Sequence, residues 1–174
     1  APLLILSANS IEHALISVAA QRIGAPATPI SPAYSLMSTD FAKLKHCFEA
    51  VKPKAIFVQA VAPFAKALAA LPLDGVAVIS ADGGEGSEPF AELARTPATG
   101  AVDDRMYWLT DQSVGKYLFT SGSTGMPKPA PQTQGAMTAQ IAARNALEIP
   151  RQSAEPVQVL DWMPWSHISG GNVN

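Results

Sequence analysis

The fold is decided by a short apolar run and the helix-capping residues that follow it, Leu3-Leu4-Ile5-Leu6-Ser7-Ala8-Asn9-Ser10. Four consecutive apolar residues are typical of a strand buried on both faces, and either Asn9 or Ser10 can cap the helix that comes next. Apolar residues recur on one face of that helix, at Ile11, Ala14, Leu15, Val18 and Ala19. Gly24 and Pro26 end the helix, and a second apolar run follows at 28–30. The opening therefore predicts a strand, a helix and a second strand.

The same alternation continues along the rest of the chain. Further buried strands are predicted at 55–58, 76–79, 116–119 and 157–160. Helices are predicted at 40–51, 63–71 and 133–147, and a loop at 120–131. Strands that alternate with helices form a mostly parallel sheet with helices on both faces, so the sequence predicts a three-layer α/β/α fold.

The composition excludes several classes of protein. The chain has 174 residues, of which 48% are hydrophobic and 15% are charged, which is unlike a disordered chain. Its net charge of −2 argues against a dedicated nucleic-acid binder, because such proteins carry a surplus of basic residues. Cys47 is the single cysteine, and prolines and charges interrupt the longest apolar region at 55–81. We expect a cytoplasmic protein with no membrane span and no nucleic-acid partner.

Two stretches bear on the domain organisation. Residues 80–100 are rich in Gly, Ser, Glu and Pro, with room for one short helix at 90–95, and we interpret them as a linker or surface loop. The chain ends in a segment rich in Trp, His and Gly, which are residue types that usually sit in a site. We therefore expect residues 1–174 to be an incomplete part of a longer protein, with the remainder of the same chain as their natural partner.

A glycine-rich loop follows the strand predicted at 116–119, where residues 117–128 read Tyr-Leu-Phe-Thr-Ser-Gly-Ser-Thr-Gly-Met-Pro-Lys. Gly122 and Gly125 allow close approach of the backbone, so that successive N–H groups can converge on an anion. Lys128 adds a mobile positive charge, and four side chains add hydroxyl groups: Thr120, Ser121, Ser123 and Thr124. The loop follows the carboxyl end of a strand, where open α/β sheets bind ligands. These features suit a polyphosphate.

The spacing matches neither of the two commonest nucleotide-binding loops. A Walker A loop has four residues between its glycines and a lysine directly after the second, whereas two residues separate Gly122 from Gly125 here. The chain also lacks the Gly-x-Gly-x-x-Gly dinucleotide fingerprint.

The loop resembles the phosphate-binding loop of the adenylate-forming superfamily, which includes acyl- and aryl-CoA synthetases, luciferases and peptide-synthetase adenylation domains. A second stretch resembles the family's Leu-Pro-x-x-His-x-x-Gly segment beside the carboxylate pocket: Leu160-Asp161-Trp162-Met163-Pro164-Trp165-Ser166-His167-Ile168-Ser169-Gly170. Residues 4–14 and 24–35 are similar to the family's opening strand, helix and strand. The details at 31–35 and 165–167 most resemble bacterial feruloyl-CoA synthase-like ligases.

The resemblance implies a partial N-terminal domain of an adenylate-forming enzyme and a two-step reaction. A carboxylate reacts with ATP to give an acyl-adenylate, and coenzyme A then displaces AMP. The residues implied to hold phosphate are Thr120, Ser121, Gly122, Ser123, Thr124, Gly125 and Lys128. Thr120 matches the family threonine associated with Mg²⁺. His167 is the implied catalytic residue beside the reacting carboxylate, and Trp165 shapes the acid pocket with it.

Departures from the family pattern leave alternatives open. Pro129-Ala130-Pro131 follows Lys128, where the family has Gly and apolar residues. The family's later adenine, ribose and catalytic-lysine motifs are not present, so we expect these 174 residues alone to be inactive. The alternatives are a non-catalytic nucleotide-binding or regulatory module, a fatty-acyl-CoA ligase and a peptide-synthetase adenylation domain. Whether the acid is aromatic or fatty is not decided by the sequence.

Overall fold

A computed structural model describes residues 1–120, 125–147 and 162–173, and a seven-stranded sheet runs through them. The strands are β1 (Leu3–Leu6), β2 (Ala27–Pro29), β3 (Ala55–Val58), β4 (Ala77–Ser80), β5 (Glu88–Pro89), β6 (Val114–Thr120) and β7 (Lys128–Thr133). The helices are α1 (Ile11–Arg22), α2 (Ala33–Leu36), α3 (Ala42–Val51), α4 (Val61–Ala69), α5 (Phe90–Arg95), α6 (Gly100–Tyr107) and α7 (Gln134–Leu147). A π-helical turn (Ser169–Val173) comes last.

The sheet has the order β5-β4-β3-β1-β2-β6-β7, and all neighbouring strands are parallel except β6 and β7. Strand β1 lies between β2 and β3, with Leu4 opposite both Thr28 and Ile56. The mostly parallel sheet predicted from the sequence is confirmed.

Each face of the central strands is covered by its own apolar core. Leu4, Leu6, Ile56 and Val58 pack on one face with side chains of α3 and α4. On the other face, Leu3, Ile5 and Phe57 pack with Ile16 and Ala20 of α1. The face predicted for α1 is therefore wrong, since Ile11, Leu15 and Val18 are exposed. Because strand residues alternate between faces, a continuous apolar run fills both cores at once. The three-layer α/β/α arrangement follows.

Two helices begin at residues other than those predicted, because in each an aspartate accepts the N–H of the first helical residue. Asp40 Oδ1 accepts the Ala42 N–H at 3.0 Å, so α3 begins after Asp40 rather than at it. The Asp82 carboxylate accepts the Val61 N–H at 3.2 and 3.3 Å, so α4 begins two residues before Pro63. A cap supplied from 21 residues away leaves no local signal.

The loop predicted over residues 120–131 is wrong in its second part, because β7 begins at Lys128 and pairs with β6. Pro129 and Pro131 stand opposite Phe119 and Tyr117. They are two residues apart, so both missing N–H donors face the same side of the strand. Since β7 is the edge strand of the sheet, one of its sides needs no partner. The prolines are therefore compatible with the strand.

Residues 80–100 include β5 and α5, and the short helix predicted at 90–95 is present. Helix α6 was not predicted, since it buries no residue and so leaves no apolar pattern. The strand predicted at 157–160 lies outside the described residues. Of the helices in the described ranges, none is long and apolar enough to cross a membrane.

Candidate functional site

The loops after the parallel strands meet at the carboxyl edge of the sheet, and the candidate site is built there. The chain leaves β1 toward β2 on one side, whereas it leaves β3 toward β4 on the other. Open α/β sheets bind ligands outside such a switch point. The loop Ser7–Ser10 follows β1 directly at this place.

The ends of the glycine-rich loop are fixed by the β6–β7 pair. Thr120 and Lys128 stand opposite each other in this antiparallel ladder, and the Thr120 hydroxyl donates to the Lys128 carbonyl at 3.5 Å. Opposite residues project from the same face of a sheet, so the Thr120 hydroxyl and the Lys128 ammonium lie on one side. Both side chains are exposed. The residues predicted between them, Ser121, Gly122, Ser123 and Thr124, lie outside the described residues.

The exit of this loop is anchored to α3. Gly125 has φ +86°, a conformation that favours glycine, and no atom lies within 4 Å of a Cβ built there. The next residues lead to Pro127, which is fully buried. Because the Pro127 carbonyl can only accept, the His46 Nε2–H donates to it, at 2.9 Å. Helix α3 therefore holds the backbone just before Lys128.

The segment 162–171 is held at one end by Asn9, in the loop after β1. The Asn9 Nδ2 donates to the Met163 carbonyl at 2.8 Å, and its Oδ1 accepts the Trp165 N–H at 3.0 Å. Pro164 between them has no N–H to offer. One side-chain amide thus bonds the backbone on both sides of the proline.

The Trp165 ring rests against His13, on α1. The two rings meet edge to face, with centroids 5.2 Å apart and an angle of 82°. His13 Nδ1 lies 3.1 Å from the Ala8 carbonyl and 2.9 Å from the Ser7 hydroxyl. Burial lowers the pKa of His13, the bond to Ala8 opposes that change, and the charge of Lys116 adds to it. The lowered pKa favours the neutral form of the ring, which forms the surface on which the tryptophan rests.

The turn after Trp165 carries His167. The His167 N–H donates to the Pro164 carbonyl at 2.9 Å, and the His167 carbonyl accepts the Gly171 N–H at 2.7 Å. His167 Nδ1 accepts the Ser169 N–H at 3.3 Å, so Nε2 is the ring nitrogen that carries a proton. The side chain is exposed, and Nε2–H is available to donate to an anion.

The far end of the segment is held by β6. Lys116 Nζ donates to the Gly171 carbonyl, and burial lowers the pKa of this lysine. Lys116 and Thr120 are four residues apart on one strand, so their side chains lie on the same face of the sheet. Their Cα atoms are about 13 Å apart. The segment that carries Trp165 and His167 therefore lies on the same face as Thr120 and Lys128.

Two cavities adjoin Trp165. One, of about 340 Å³, is lined by Ser7, Ala8, Asn9, Pro32, Trp162, Pro164, Trp165 and Ser166. The other, of about 490 Å³, lies between α1 and β6 and includes His13, Lys116 and Gly170 in its wall. Trp165 lines both cavities, whereas His167 lines neither. The structure thus places one of the two predicted pocket residues in a cavity wall.

Residues 1–173 match the family model of the AMP-binding enzymes. The chain belongs to the AMP-binding enzyme family. This confirms the superfamily that the sequence motifs indicated. No curated protein sequence matches the chain.

Solved structures agree with the fold of this AMP-binding chain. A Rhodopseudomonas palustris protein assigned as a long-chain-fatty-acid CoA ligase superposes with TM-score 0.74 at 21% identity. The N-terminal domain of FACL13 from Mycobacterium tuberculosis, bound to an inhibitor, gives 0.73 at 23%. O-succinylbenzoate coenzyme A synthetase from Bacillus subtilis, with ATP and a magnesium ion, gives 0.66 at 19%. Each match covers 99% of this chain and 40% of the other.

The sequence analysis of this AMP-binding chain missed the residues that hold the site together. Asn9 was considered only as a helix cap, but Ser10 caps α1 by accepting the His13 N–H at 3.1 Å. His13, His46 and Lys116 were given no role at the site. A polar residue in the loop after a buried strand, as Asn9 is, was the one available signal. Their partners lie between 55 and 156 residues away for Lys116, His46 and Asn9.

Proposed function

We propose that this chain is the N-terminal part of an ATP-dependent, AMP-forming acyl- or aryl-CoA ligase, with residues 1–174 as an incomplete AMP-binding domain. The observation that carries the proposal is the shared sheet face: Thr120 and Lys128 project from the side on which the segment with Trp165 and His167 lies. Family membership and the hydroxyl-rich glycine loop support it.

The proposed reaction has two displacement steps. A carboxylate oxygen of the acid attacks the α-phosphorus of ATP, and the bond to pyrophosphate breaks to give an acyl-adenylate. The coenzyme A thiolate then attacks the acyl carbon, and AMP leaves with the electron pair of the broken bond. Much of the catalysis is positioning and electrostatic stabilisation of the phosphates.

The phosphates of ATP are assigned to the glycine-rich loop. Ser121, Gly122, Ser123, Thr124 and Gly125 supply N–H and hydroxyl donors by sequence, and Lys128 supplies a positive charge. Lys128 suits this role because its side chain is exposed and its backbone is held beside Pro127.

Mg²⁺ fits this site as a companion of the phosphates. In the part of the chain that the structure describes, no group of three or more His, Cys, Asp and Glu residues could hold a metal ion. Mg²⁺ commonly relies on substrate phosphates and a few protein oxygens, and the exposed Thr120 hydroxyl is such an oxygen. When bound, Mg²⁺ would neutralise charge on the phosphates.

The acid is assigned to the pocket beside Trp165, and we propose a hydroxycinnamate of the feruloyl type. Trp162 and Trp165 give the 340 Å³ cavity aromatic walls, which favour a planar aromatic acid over a flexible chain. His167 follows Ser166 of the cavity wall without lining the cavity itself, and we propose that it donates its Nε2 proton toward the carboxylate at the cavity edge. A fatty acid is the competing substrate class.

Carboxylate-dependent exchange of pyrophosphate into ATP tests the first step. We expect the full-length protein to exchange with ferulate and to form AMP and feruloyl-CoA when coenzyme A is added. The isolated 174 residues should show no exchange above blank. Full-length protein without exchange for any aromatic or fatty acid contradicts the ligase, and nucleotide binding without exchange favours a non-catalytic module. An active protein that transfers only to a carrier domain supports a peptide-synthetase function.

Variants of the pocket test the choice of acid. Trp165→Ala should raise KM for ferulate by about tenfold, since it removes most of an aromatic wall, and leave KM for ATP within about twofold. Trp108→Ala is the control, because it removes a tryptophan that is exposed, at 76%, and that lies in neither cavity. A preference for long-chain fatty acids in the wild type would contradict the feruloyl assignment.

A further inference from the structure

The amide of Asn9 joins two parts of the molecule that are 154 and 156 residues apart in sequence. We propose that Asn9 is a positioning residue, which sets the acid-binding segment by holding the backbone on both sides of Pro164. The inference rests on the proposed ligase function for its kinetic consequences. The contact itself does not depend on that function.

The Asn9 hydrogen bonds affect the position of both residues that are assigned to the acid, Trp165 and His167. The Trp165 backbone N–H donates directly to Asn9 Oδ1, and the Trp165 ring rests on His13. The Pro164 carbonyl, held between the two Asn9 bonds, accepts the His167 N–H. A shift of the backbone at Pro164 therefore moves Trp165 and the His167 turn together.

The donor–acceptor pattern explains why this position needs an amide. One end of the side chain must accept an N–H and the other must donate to a carbonyl, and asparagine offers both on one planar group. Aspartate keeps an acceptor for the Trp165 N–H but would place a second oxygen against the Met163 carbonyl. Alanine removes both bonds.

Asn9 is exposed and lies outside both apolar cores, so its loss should disturb the segment more than the fold. Ser10 provides a matched comparison one residue away. Its hydroxyl caps α1 through the His13 N–H and makes no bond to residues 162–171 among those described. A change at Ser10 perturbs the same loop but leaves the Asn9 bonds in place.

Kinetics of the full-length protein test the consequence. For Asn9→Ala we expect KM for the acid in pyrophosphate exchange to rise about tenfold, with KM for ATP within about twofold. Asn9→Asp should lie between alanine and wild type, and Ser10→Ala should keep the wild-type KM for the acid. Equal changes in both KM values, or an Asn9→Ala profile like that of Ser10→Ala, would overturn the proposal.

Tryptophan quenching tests the contact without activity. Residues 1–174 contain three tryptophans, so these isolated 174 residues with Trp108→Phe and Trp162→Phe have Trp165 as their only emitter. We expect Asn9→Ala in this background to increase acrylamide quenching about twofold, and Ser10→Ala to leave it unchanged. Unchanged quenching for Asn9→Ala would overturn the proposal. Wild-type protein that lacks exchange with every acid, but shows the expected quenching, would contradict the proposed function alone.

Discussion

Strand β1 and the segment 162–171 are both essential to the candidate site, but different forces hold them. Leu4, Ile5 and Leu6 of β1 are fully buried, and each faces an apolar core. The segment is held by polar contacts from Asn9 at one end and Lys116 at the other, and by the ring contact of Trp165 with His13. The comparison indicates that a substitution can disrupt the site without unfolding the protein. Core substitutions should unfold the protein, whereas substitutions of Asn9 or Lys116 should lower the activity of a protein that stays folded.

The largest expected effect on stability comes from Phe57, in the strand next to β1. Its side chain is fully buried and meets the Phe90 ring with centroids 6.0 Å apart. Phe57→Ala should lower the free energy of unfolding by about 3–5 kcal/mol, through lost burial and a cavity. Asn9→Ala should cost only about 1 kcal/mol in the same denaturant titration. Similar losses for both variants would mean that core and segment are not held independently.

Gly170→Ala should break the segment without unfolding the sheet. A Cβ at this position would lie 2.6 Å from the Met163 carbonyl oxygen and 2.7 Å from that of Pro164, so the backbone must move. We expect kcat/KM of the full-length protein to fall by about 100-fold, while the midpoint of thermal unfolding changes little. Gly100→Ala is the control, because a Cβ there meets nothing within 4 Å. Full activity for Gly170→Ala would show that the segment need not hold this shape.

His46 extends the comparison to the glycine-rich loop, because it makes a polar contact from α3 to the exit of that loop. His46→Ala removes the donor to the Pro127 carbonyl, and Lys128 is the next residue. We expect KM for ATP to rise about threefold to tenfold with KM for the acid little changed, the reverse of Asn9→Ala. His46→Gln, which keeps an N–H donor, should restore part of the difference. If KM for the acid changes instead, the contacts of His46 and Asn9 do not act on separate substrates.

The smallest effect is a pH dependence of stability from His13. Because the pKa of His13 is lowered in the folded protein, the unfolded chain binds a proton first as the pH falls below the ordinary value of 6.5. Stability from this group is therefore complete above that pH and is lost as the pH falls toward the folded pKa. Urea titrations between pH 7.5 and 5 should show a steeper loss for wild type than for His13→Gln. Equal slopes would contradict a buried neutral histidine.

Sequence reasoning found several parts of the molecule whose signals are local, although the periodicity of α1 predicted the wrong buried face. The run Leu3–Leu6 fills both cores because alternate strand residues face opposite sides. Four consecutive apolar residues in the sequence are enough to predict this. Ser10 likewise caps the helix that directly follows it. The glycine-rich loop was recognisable because its residue types and their order carry the chemistry.

The remaining features depend on contacts between distant residues. Asp82 starts α4 from 21 residues away, and β7 forms because an edge strand accepts Pro129 and Pro131. From the sequence, Asn9 is only a possible helix cap. Its role becomes visible when the fold places the backbone of Met163 and Trp165 beside it. Such pairings are set by the folded chain, and no spacing within either segment encodes them.

Hydrogen exchange at the Trp165 amide tests most directly whether the segment is tethered independently of the core. Protein labelled with ¹⁵N-tryptophan and ¹⁵N-leucine reports this amide together with those of β1 in one NMR experiment. The wild type should protect both, whereas Asn9→Ala should lose protection at Trp165 and keep it at Leu4 and Leu6. Protection retained at Trp165 in Asn9→Ala, or lost together at Trp165 and β1, would contradict the account.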